Sequence, residues 1–414
     1  MVGGGLAGWV AAATAARGGA TVTVLDRDGI GGRAATDRVD GYLLDRGAHA
    51  LYTGGPGMRV LTDLGVRAPG RTPSNRHAKA RIGDRLEPLP LGPGSLLRTR
   101  LLGGRAKATL LARLASLMRR DPASAASLTI DDLLDDLELG DDARQVLAAL
   151  IRVVSYVADH GRVSADVALT QLQLGARGVR YLHGGWGRLV DELRGVARAR
   201  GVRVVRAVAT SVASDGGLVE VTTAETRWLA SHVVLATGSA ASAADLLGRT
   251  PPEWQVLGPA AEASCLDVAL DTPTAPPLTI GIDEPLYFNS HEVAELAPRG
   301  GSVAHVMRYL RADEEWPATE GRARLEDHLR VVGVAPGSVR HTRYLHRMTV
   351  TSALPVPERG GMAGRPDCTS TGDERITVAG DWVGPTGNLA DVSLVSGADA
   401  GRTAATRALR AVAR

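Results

Sequence analysis

The run Gly3-Gly4-Gly5-Leu6-Ala7-Gly8 constrains this chain more than any other feature. Gly3, Gly5 and Gly8 stand in a G-x-G-x-x-G spacing, and a helical pattern from about Leu6 to Arg17 follows. Ala20 to Leu25 then reads as an apolar, β-branched strand ending at Asp26. Together these describe a dinucleotide-binding turn. The first glycine allows the tight turn, the second lets a diphosphate approach the backbone, and the third lets the helix pack on the strand. Helix N–H groups and the positive end of the helix dipole then face phosphate. An acid about 20 residues on suits ribose hydroxyls. Only Met1 and Val2 precede Gly3, whereas such a strand usually takes about five residues. Further apolar residues are therefore expected upstream, and restoring them should raise cofactor content. Trp9 is bulkier than expected directly after the third glycine.

At 414 residues the chain suits two interleaved domains. The glycine-bearing α/β pattern returns in the middle, where Gly184–Gly187 leads into a helix over about 188–200 and strands near 202–205, 218–222 and 232–235. It returns again at 376–379, followed by a long helix over about 390–410. The expected fold class is α/β. A Rossmann-like dinucleotide domain with a doubly wound parallel sheet takes residues 1–52, 181–250 and 351–414. A substrate domain of mixed sheet plus helices takes 53–180 and 251–350, with strands near 265–270, 302–309 and Tyr344.

Composition narrows the class further. A net charge of +3 gives no basis for nucleic-acid binding. Cys265 and Cys368 match no metal or redox spacing and read as two reduced thiols. No apolar run is long enough for a transmembrane helix. A cytoplasmic protein is expected, with contact at a membrane surface as an option. The acids Asp131, Asp132, Asp135, Asp136, Asp141 and Asp142 read as helix starts and a solvated face.

The segment Asp26-Arg27-Asp28-Gly29-Ile30-Gly31-Gly32-Arg33-Ala34-Ala35-Thr36 resembles the second FAD signature of the flavin amine oxidase and phytoene desaturase superfamily. The resemblance implies Gly31–Gly32 backbone donors and an Arg33 cation along the diphosphate, with Arg27 and Ala34 beside them. Gly41-Tyr42-Leu43-Leu44-Asp45-Arg46-Gly47-Ala48-His49 resembles the next block, which passes close to the flavin ring and makes Gly47, Ala48 and His49 its neighbours. Tyr181-Leu182-His183-Gly184-Gly185-Trp186-Gly187, with Leu189 and Leu193, resembles the return to the FAD domain. Later strands resemble the segment whose backbone contacts adenine, here at Val208 or Ala209, ending in Ala236-Thr237-Gly238. Val378-Ala379-Gly380-Asp381-Trp382 resembles the last signature, which puts Asp381 on the ribityl or diphosphate region. Gly387-Asn388-Leu389-Ala390-Asp391 would start a helix whose positive end faces the flavin pyrimidine. The resemblance runs the length of the chain in order, and implies non-covalent FAD and a two-domain FAD and substrate architecture.

It also implies hydride transfer between a substrate carbon and flavin N5. No second G-x-G-x-x-G offers a nicotinamide site, so oxygen or a quinone-type acceptor is expected. Amine oxidases of the superfamily commonly place a lysine near N5, and neither Lys79 nor Lys107 lies in such a block. An aromatic frame for an amine would have to come from residues such as Tyr344 and Trp382. The Tyr181–Gly187 string and the Gly-Asp-Trp ending are closer to the phytoene desaturase branch. That branch implies a small apolar substrate, polyene- or isoprenoid-like. An FAD amine oxidase, and a non-enzymatic binding protein like the GDP dissociation inhibitors, are the alternatives.

His49, His183, His291, His305 and His346 are conceivable acid–base groups, against the commoner structural histidine. His49 is the best placed, though its block alone does not make it catalytic. Residues 96–120 form a basic, leucine-rich stretch. Leucines facing a core and arginines facing water is the preferred arrangement, and an anionic membrane surface is the other.

Overall fold

Val2 pairs in parallel with Leu25 on one side and Leu235 on the other. Its N–H donates to Val234 O at 2.9 Å, and Ala236 N–H donates to Val2 O at 2.8 Å. The two residues ahead of the glycine turn thus already bridge the strands Thr23–Asp26 and Val233–Leu235. Arg203–Arg206 pairs in parallel outside the first of these, and Ile376–Val378 outside the second. Strands from three separate stretches of sequence so form one parallel layer. The computed structural model describes residues 1–29, 31–215, 217–274 and 276–412.

The helix Leu6–Arg17 lies where the sequence predicts it and is buried from Ala7 to Ala15. The strand after it starts at Thr23 rather than Ala20. Gly18–Gly19–Ala20 are used to end the helix, with Gly18 N–H on Thr14 O and Ala20 N–H on Ala15 O. The C-terminal helix Ala390–Val412 and the helix Gly185–Arg198 pack against this opening helix. Small residues set the closeness of the first contact, since a Cβ on Gly397 or Gly401 would stand 2.5 Å from the carbonyl oxygen of Ala7 or Ala11. Trp9 is 1% exposed and packs in a core with Leu51, Leu61, Trp186 and Leu189, which gives its bulk a use.

The second sheet is mixed and seven-stranded, in the order Val339–Thr351, Ala261–Leu270, Ser302–Leu310, Leu286–Ser290, Leu278–Gly281, Lys79–Ile82, Arg85–Pro88. Period-two alternation divides its faces. Leu266, Val268, Leu270, Phe288, Ala304 and Val306 pack on Leu325 and Leu329 of the helix Ala318–Val331. The opposite face carries Cys265, Asp267, Tyr287, Asn289, His305, Met307 and Tyr309, all buried. Cross-strand register aligns Asp267 with His305 and Arg343, and Asn289 with His305. A helical layer that includes Gly104–Leu117, Asp141–Ser155 and Ala165–Ala176 shares a core with this sheet. Asp131, Asp132, Asp141 and Asp142 sit in helix first turns, where the dipole favours them. Among the described residues, no helix is long and apolar enough to cross a membrane.

Candidate active site

Gly3 has φ 104°, and a Cβ there would overlap the Ala236 carbonyl oxygen; one on Gly8 would overlap the Gly3 carbonyl. The protein's own packing demands both glycines. Gly5 differs: its φ is an ordinary −82°, and among the described residues a Cβ on it would meet nothing closer than Gly31 O at 3.9 Å. For Gly32 the nearest atom is the Gly5 Cα, also at 3.9 Å. The opening turn and the Gly-Gly-Arg segment therefore face one another across an open strip; Ile30 of that segment lies outside the described residues. Asp26 Oδ1 accepts the Gly4 N–H at 3.1 Å, while Oδ2 is buried without a partner among the described residues. A buried orphan acceptor costs about 1–3 kcal/mol, and ribose hydroxyls are donors of the right kind to satisfy it.

The neighbouring predicted residues divide. Ala7 and Ala34 are buried in the cores beside the turn, and Ala236 touches Gly3 and Gly8. Arg27 points outward and pairs with Asp28 at 2.9 Å. Val208 is 52% exposed, next to Ala207, whose N–H donates to Asp26 O at 3.1 Å.

Arg33 and Asp381 meet. Arg33 Nη1 donates to Asp381 Oδ2 at 2.7 Å, and the guanidinium reaches Gly238 O and Val350 O at 3.3 Å. Asp381 also accepts from the amide and hydroxyl of Ser352. Burial opposes both charges, yet mutual attraction and hydrogen bonding prevail, so Arg33 is held above its ordinary pKa and Asp381 below it. Gly380 N–H donates to Ser396 Oγ at 3.0 Å. Arg365, which the sequence did not single out, donates to Asp381 O at 3.4 Å and Gly387 O at 2.5 Å. It ties the Gly-Asp turn to the start of the C-terminal helix. Leu389, the last residue before Ala390 opens that helix, has φ 54°. A branched side chain in this region costs about 1 kcal/mol or more. Asp391 follows in the first turn. Its Oδ1 accepts the Gly57 N–H at 3.0 Å and its Oδ2 is buried without a partner. Burial pushes this carboxyl up to about 7.

Gly47, Ala48 and His49 lie against the buried face of the mixed sheet. Gly47 has φ 85° and a Cβ there would overlap the end of Met348; Ala48 clusters with Cys265, Tyr287, Met307 and Tyr309. His49 donates from Nδ1 to Gly47 O at 2.8 Å and lies 5.2 Å from the Trp186 ring. Burial lowers its pKa. Beside it runs an ion network that the sequence did not reveal. Asp267 Oδ1 accepts from His305 Nδ1 at 2.6 Å and from the Cys265 thiol at 3.2 Å. Asp267 Oδ2 accepts from Arg343 Nε at 3.0 Å and Nη2 at 2.6 Å. Burial works to raise Asp267, but His305 and Arg343 outweigh it and hold the carboxylate below its ordinary range. His305 Nε2 is buried and has no partner among the described residues. The ring of His291 stands 4.7 Å from that of His305 and is stacked at 4.1 Å on Tyr181; burial drives its pKa well down. Cys265, Asp267 and His305 offer three metal-ligating atoms within 4.8 Å, but Arg343 already saturates the carboxylate. His183 pairs with exposed Glu295 at 3.4 Å, and His346 contacts Tyr344 at 3.3 Å.

An aromatic wall adjoins this network. Tyr309 stands edge-on to Tyr156 at 6.0 Å and to Tyr287 at 6.2 Å, with Cys265, Met307, Leu345 and Met348 between and around them. Burial raises the phenols of all three tyrosines. Tyr344 and Trp382, the residues that could have framed an amine, do not come together. Trp382 packs edge-on against Trp254 at 4.8 Å, and Tyr344 hydrogen-bonds Ser264 at 3.0 Å on the strand face turned toward the helix Ala318–Val331. Even-numbered residues of the strand Ala261–Leu270 face that helix, which is why Tyr344 is turned away. Lys79 sits in the sixth strand of the sheet and Lys107 donates to Leu97 O, both outside the wall.

Comparison with known proteins bears on the family and the fold. The family described as flavin containing amine oxidoreductase matches residues 6–409. A coproporphyrinogen III oxidase of Propionibacterium freudenreichii subsp. freudenreichii is 35% identical over 107 residues; the match spans 24% of this chain and only 20% of that relative's length. An oxidoreductase from Methanosarcina mazei shares the fold at TM-score 0.72 and 18% identity, over 95% of this chain and 97% of that one. Putrescine oxidase with bound putrescine does so at TM-score 0.70 and 15% identity, over 100% and 98%. With the family match running almost from end to end, the chain belongs to the flavin-containing amine oxidoreductases and is an FAD-dependent oxidoreductase.

Proposed function

We propose that this enzyme dehydrogenates a small, uncharged apolar substrate, of polyene or isoprenoid type, and passes the electrons to oxygen or a quinone-type acceptor. The parallel layer is read as a doubly wound, Rossmann-like sheet. Residues 1–52, 181–250 and 351–414 form the FAD domain around it, and 53–180 and 251–350 the substrate domain. Gly5, Gly31, Gly32 and the amides that open the helix Leu6–Arg17 would hold the diphosphate, and Asp26 the ribose. Leu389 and Ala390 would present the C-terminal helix's positive end to the ring, with Gly47–His49 alongside. The flavin, when bound, supplies two-electron acceptance.

The observation that carries the substrate class is the wall of Tyr156, Tyr287, Tyr309, Cys265, Met307 and Met348. A desolvated ammonium needs a free carboxylate. Asp267 is saturated by His305, Cys265 and Arg343, and Arg152 adds positive charge beside Tyr309. An apolar carbon chain or ring needs no such counter-charge and is held by burial alone. A proton lost alongside the hydride can be taken by His305 Nε2, whose other nitrogen is fixed on Asp267.

A porphyrinogen is the second reading, favoured by the 107-residue match to a coproporphyrinogen III oxidase. The test is anaerobic bleaching of the bound flavin by polyenes, porphyrinogens and amines. Bleaching by polyenes supports the proposal, and bleaching by porphyrinogens alone selects the second reading. Bleaching by amines, with peroxide released in air, overturns both. The expected setting is the cytoplasm, with contact at a membrane surface as an option.

A further inference from the structure

The helix Gly104–Leu117 is apolar on two sides. Leu110, Leu114 and Leu117 turn into the helical core, where Leu110 and Leu117 are 1% exposed. Ala108, Leu111, Ala115 and Met118 recur at helical spacing on the water side. Leu111 is 53% exposed there and Met118 37%. The short helix before it, Pro93–Arg98, adds Leu97 at 79%, with Leu91 at 41% just ahead. Lys107 Nζ donates to Leu97 O at 3.1 Å and holds the two helices side by side. The expected arrangement, leucines inward and arginines outward, is therefore only half realised.

Charge gathers in the same stretch of chain. From Pro88 to Arg120 the sequence has six arginines, one lysine and no acid, although the whole chain carries only +3. Arg98, Arg100, Arg105 and Arg119 are exposed. Among the described residues, only Arg113 of the seven pairs with a carboxylate, Glu138 at 3.8 Å.

We propose that this surface docks on an anionic lipid bilayer, with Leu97, Leu111 and Met118 in the headgroup region and the flanking bases on lipid phosphates. A second apolar stripe serves no core that the first does not already serve, and in water it is unfavourable. Anionic lipid supplies both the apolar medium and the counter-charge that the other six bases lack. At 14 residues the helix is about 21 Å long, short of the roughly 30 Å hydrocarbon layer, so the contact is peripheral. Its inner stripe packs in the same core as the helix Asp141–Ser155, which ends at Tyr156 of the aromatic wall. The docking inference stands on the surface itself; an apolar substrate gives it a purpose.

The test is cosedimentation of the flavin-loaded protein with phosphatidylcholine vesicles, with and without about 30% phosphatidylglycerol. Pelleting is expected with the anionic lipid and should weaken at high salt. Arg98→Ala and Arg100→Ala should each lower partition about five-fold. Leu97→Ser with Leu111→Ser should abolish it while leaving the melting temperature unchanged. No pelleting on anionic vesicles at low salt, or equal pelleting of the variants, overturns the proposal. So does a stable dimer in solution that the leucine variant turns into monomer, since a second copy would then own the surface. Failure of every apolar substrate would leave a positive vesicle result intact.

Discussion

Arg33 and Asp381 are 348 residues apart in sequence and 2.7 Å apart in space, and their ion pair joins the Gly-Gly-Arg segment to the Gly-Asp turn. Asp381 is almost fully buried, so its partner matters. Replacing it (Asp381→Ala) removes the strongest of Arg33's three acceptors and should lower stability by about 1–3 kcal/mol in urea unfolding. Arg33→Lys should lose most of the same amount, because an ammonium cannot span Asp381, Gly238 and Val350 as the planar fork does. The pH dependence has a fixed sign. Asp381 is depressed below its ordinary 3.8, so its contribution is complete above that value and is lost as pH falls through the folded-state value. Arg33→Ala should flatten the acid limb of the stability curve; an unchanged limb would mean the pair carries no linkage.

The glycines separate protein packing from cofactor space. Gly8→Ala places a Cβ on the Gly3 carbonyl and should give insoluble or unfolded protein. Among the described residues Gly5→Ala meets only Gly31 O at 3.9 Å, and it should fold with a near-normal melting temperature. Its Cβ stands in the strip assigned to the diphosphate, so flavin occupancy after purification should fall sharply. Wild-type flavin content in Gly5→Ala would remove the diphosphate from that strip.

Asp26→Ala probes the ribose end. The carboxylate holds Gly4 N–H with one oxygen and leaves the other unpartnered. Loss of one charge-assisted contact to a ligand hydroxyl is worth about 1.5–3 kcal/mol, or roughly ten- to a hundred-fold in FAD dissociation constant. Fluorescence titration of the apoprotein with FAD measures it. Equal affinity in the variant would place the ribose elsewhere.

The parts legible in sequence are those with a local signature. The glycine spacing, the helix Leu6–Arg17, Asp26 and the helix after Leu389 are each fixed by backbone chemistry within a few residues. What could not be read depends on register between distant strands. Cys265 and Asp267 share a face through simple alternation, but His305 and Arg343 join them only through pairing with two other strands. The tyrosine wall escapes notice for the same reason, because its members lie at positions 156, 287 and 309 and belong to separate elements. Tyr344 and Trp382 looked available because aromatics are few, and one-residue alternation turned Tyr344 to the wrong face. Among the histidines, block membership favoured His49. The orienting carboxylate belongs to His305 instead.

Asp391 yields the sharpest pH test. It sits in the first turn of the C-terminal helix and accepts the Gly57 N–H that opens the helix Pro56–Leu64. Burial raises its carboxyl from 3.8 to about 7, against the pull of the Gly57 amide and Arg59. A folded-state value above the unfolded one means the folded protein holds an extra proton between the two. The stabilising contribution is therefore full below about pH 4, declines as pH rises, and is spent once pH passes about 7. The whole change is roughly 4 kcal/mol at 1.36 kcal/mol per unit. Asp391→Asn cannot ionise, and its carbonyl oxygen can still accept the Gly57 N–H. Relative to wild type, the variant should gain roughly 2–3 kcal/mol of stability between about pH 5 and pH 8. Urea unfolding of both proteins across that range reads the difference directly, and parallel curves would mean that Asp391 ionises at its ordinary value despite its burial.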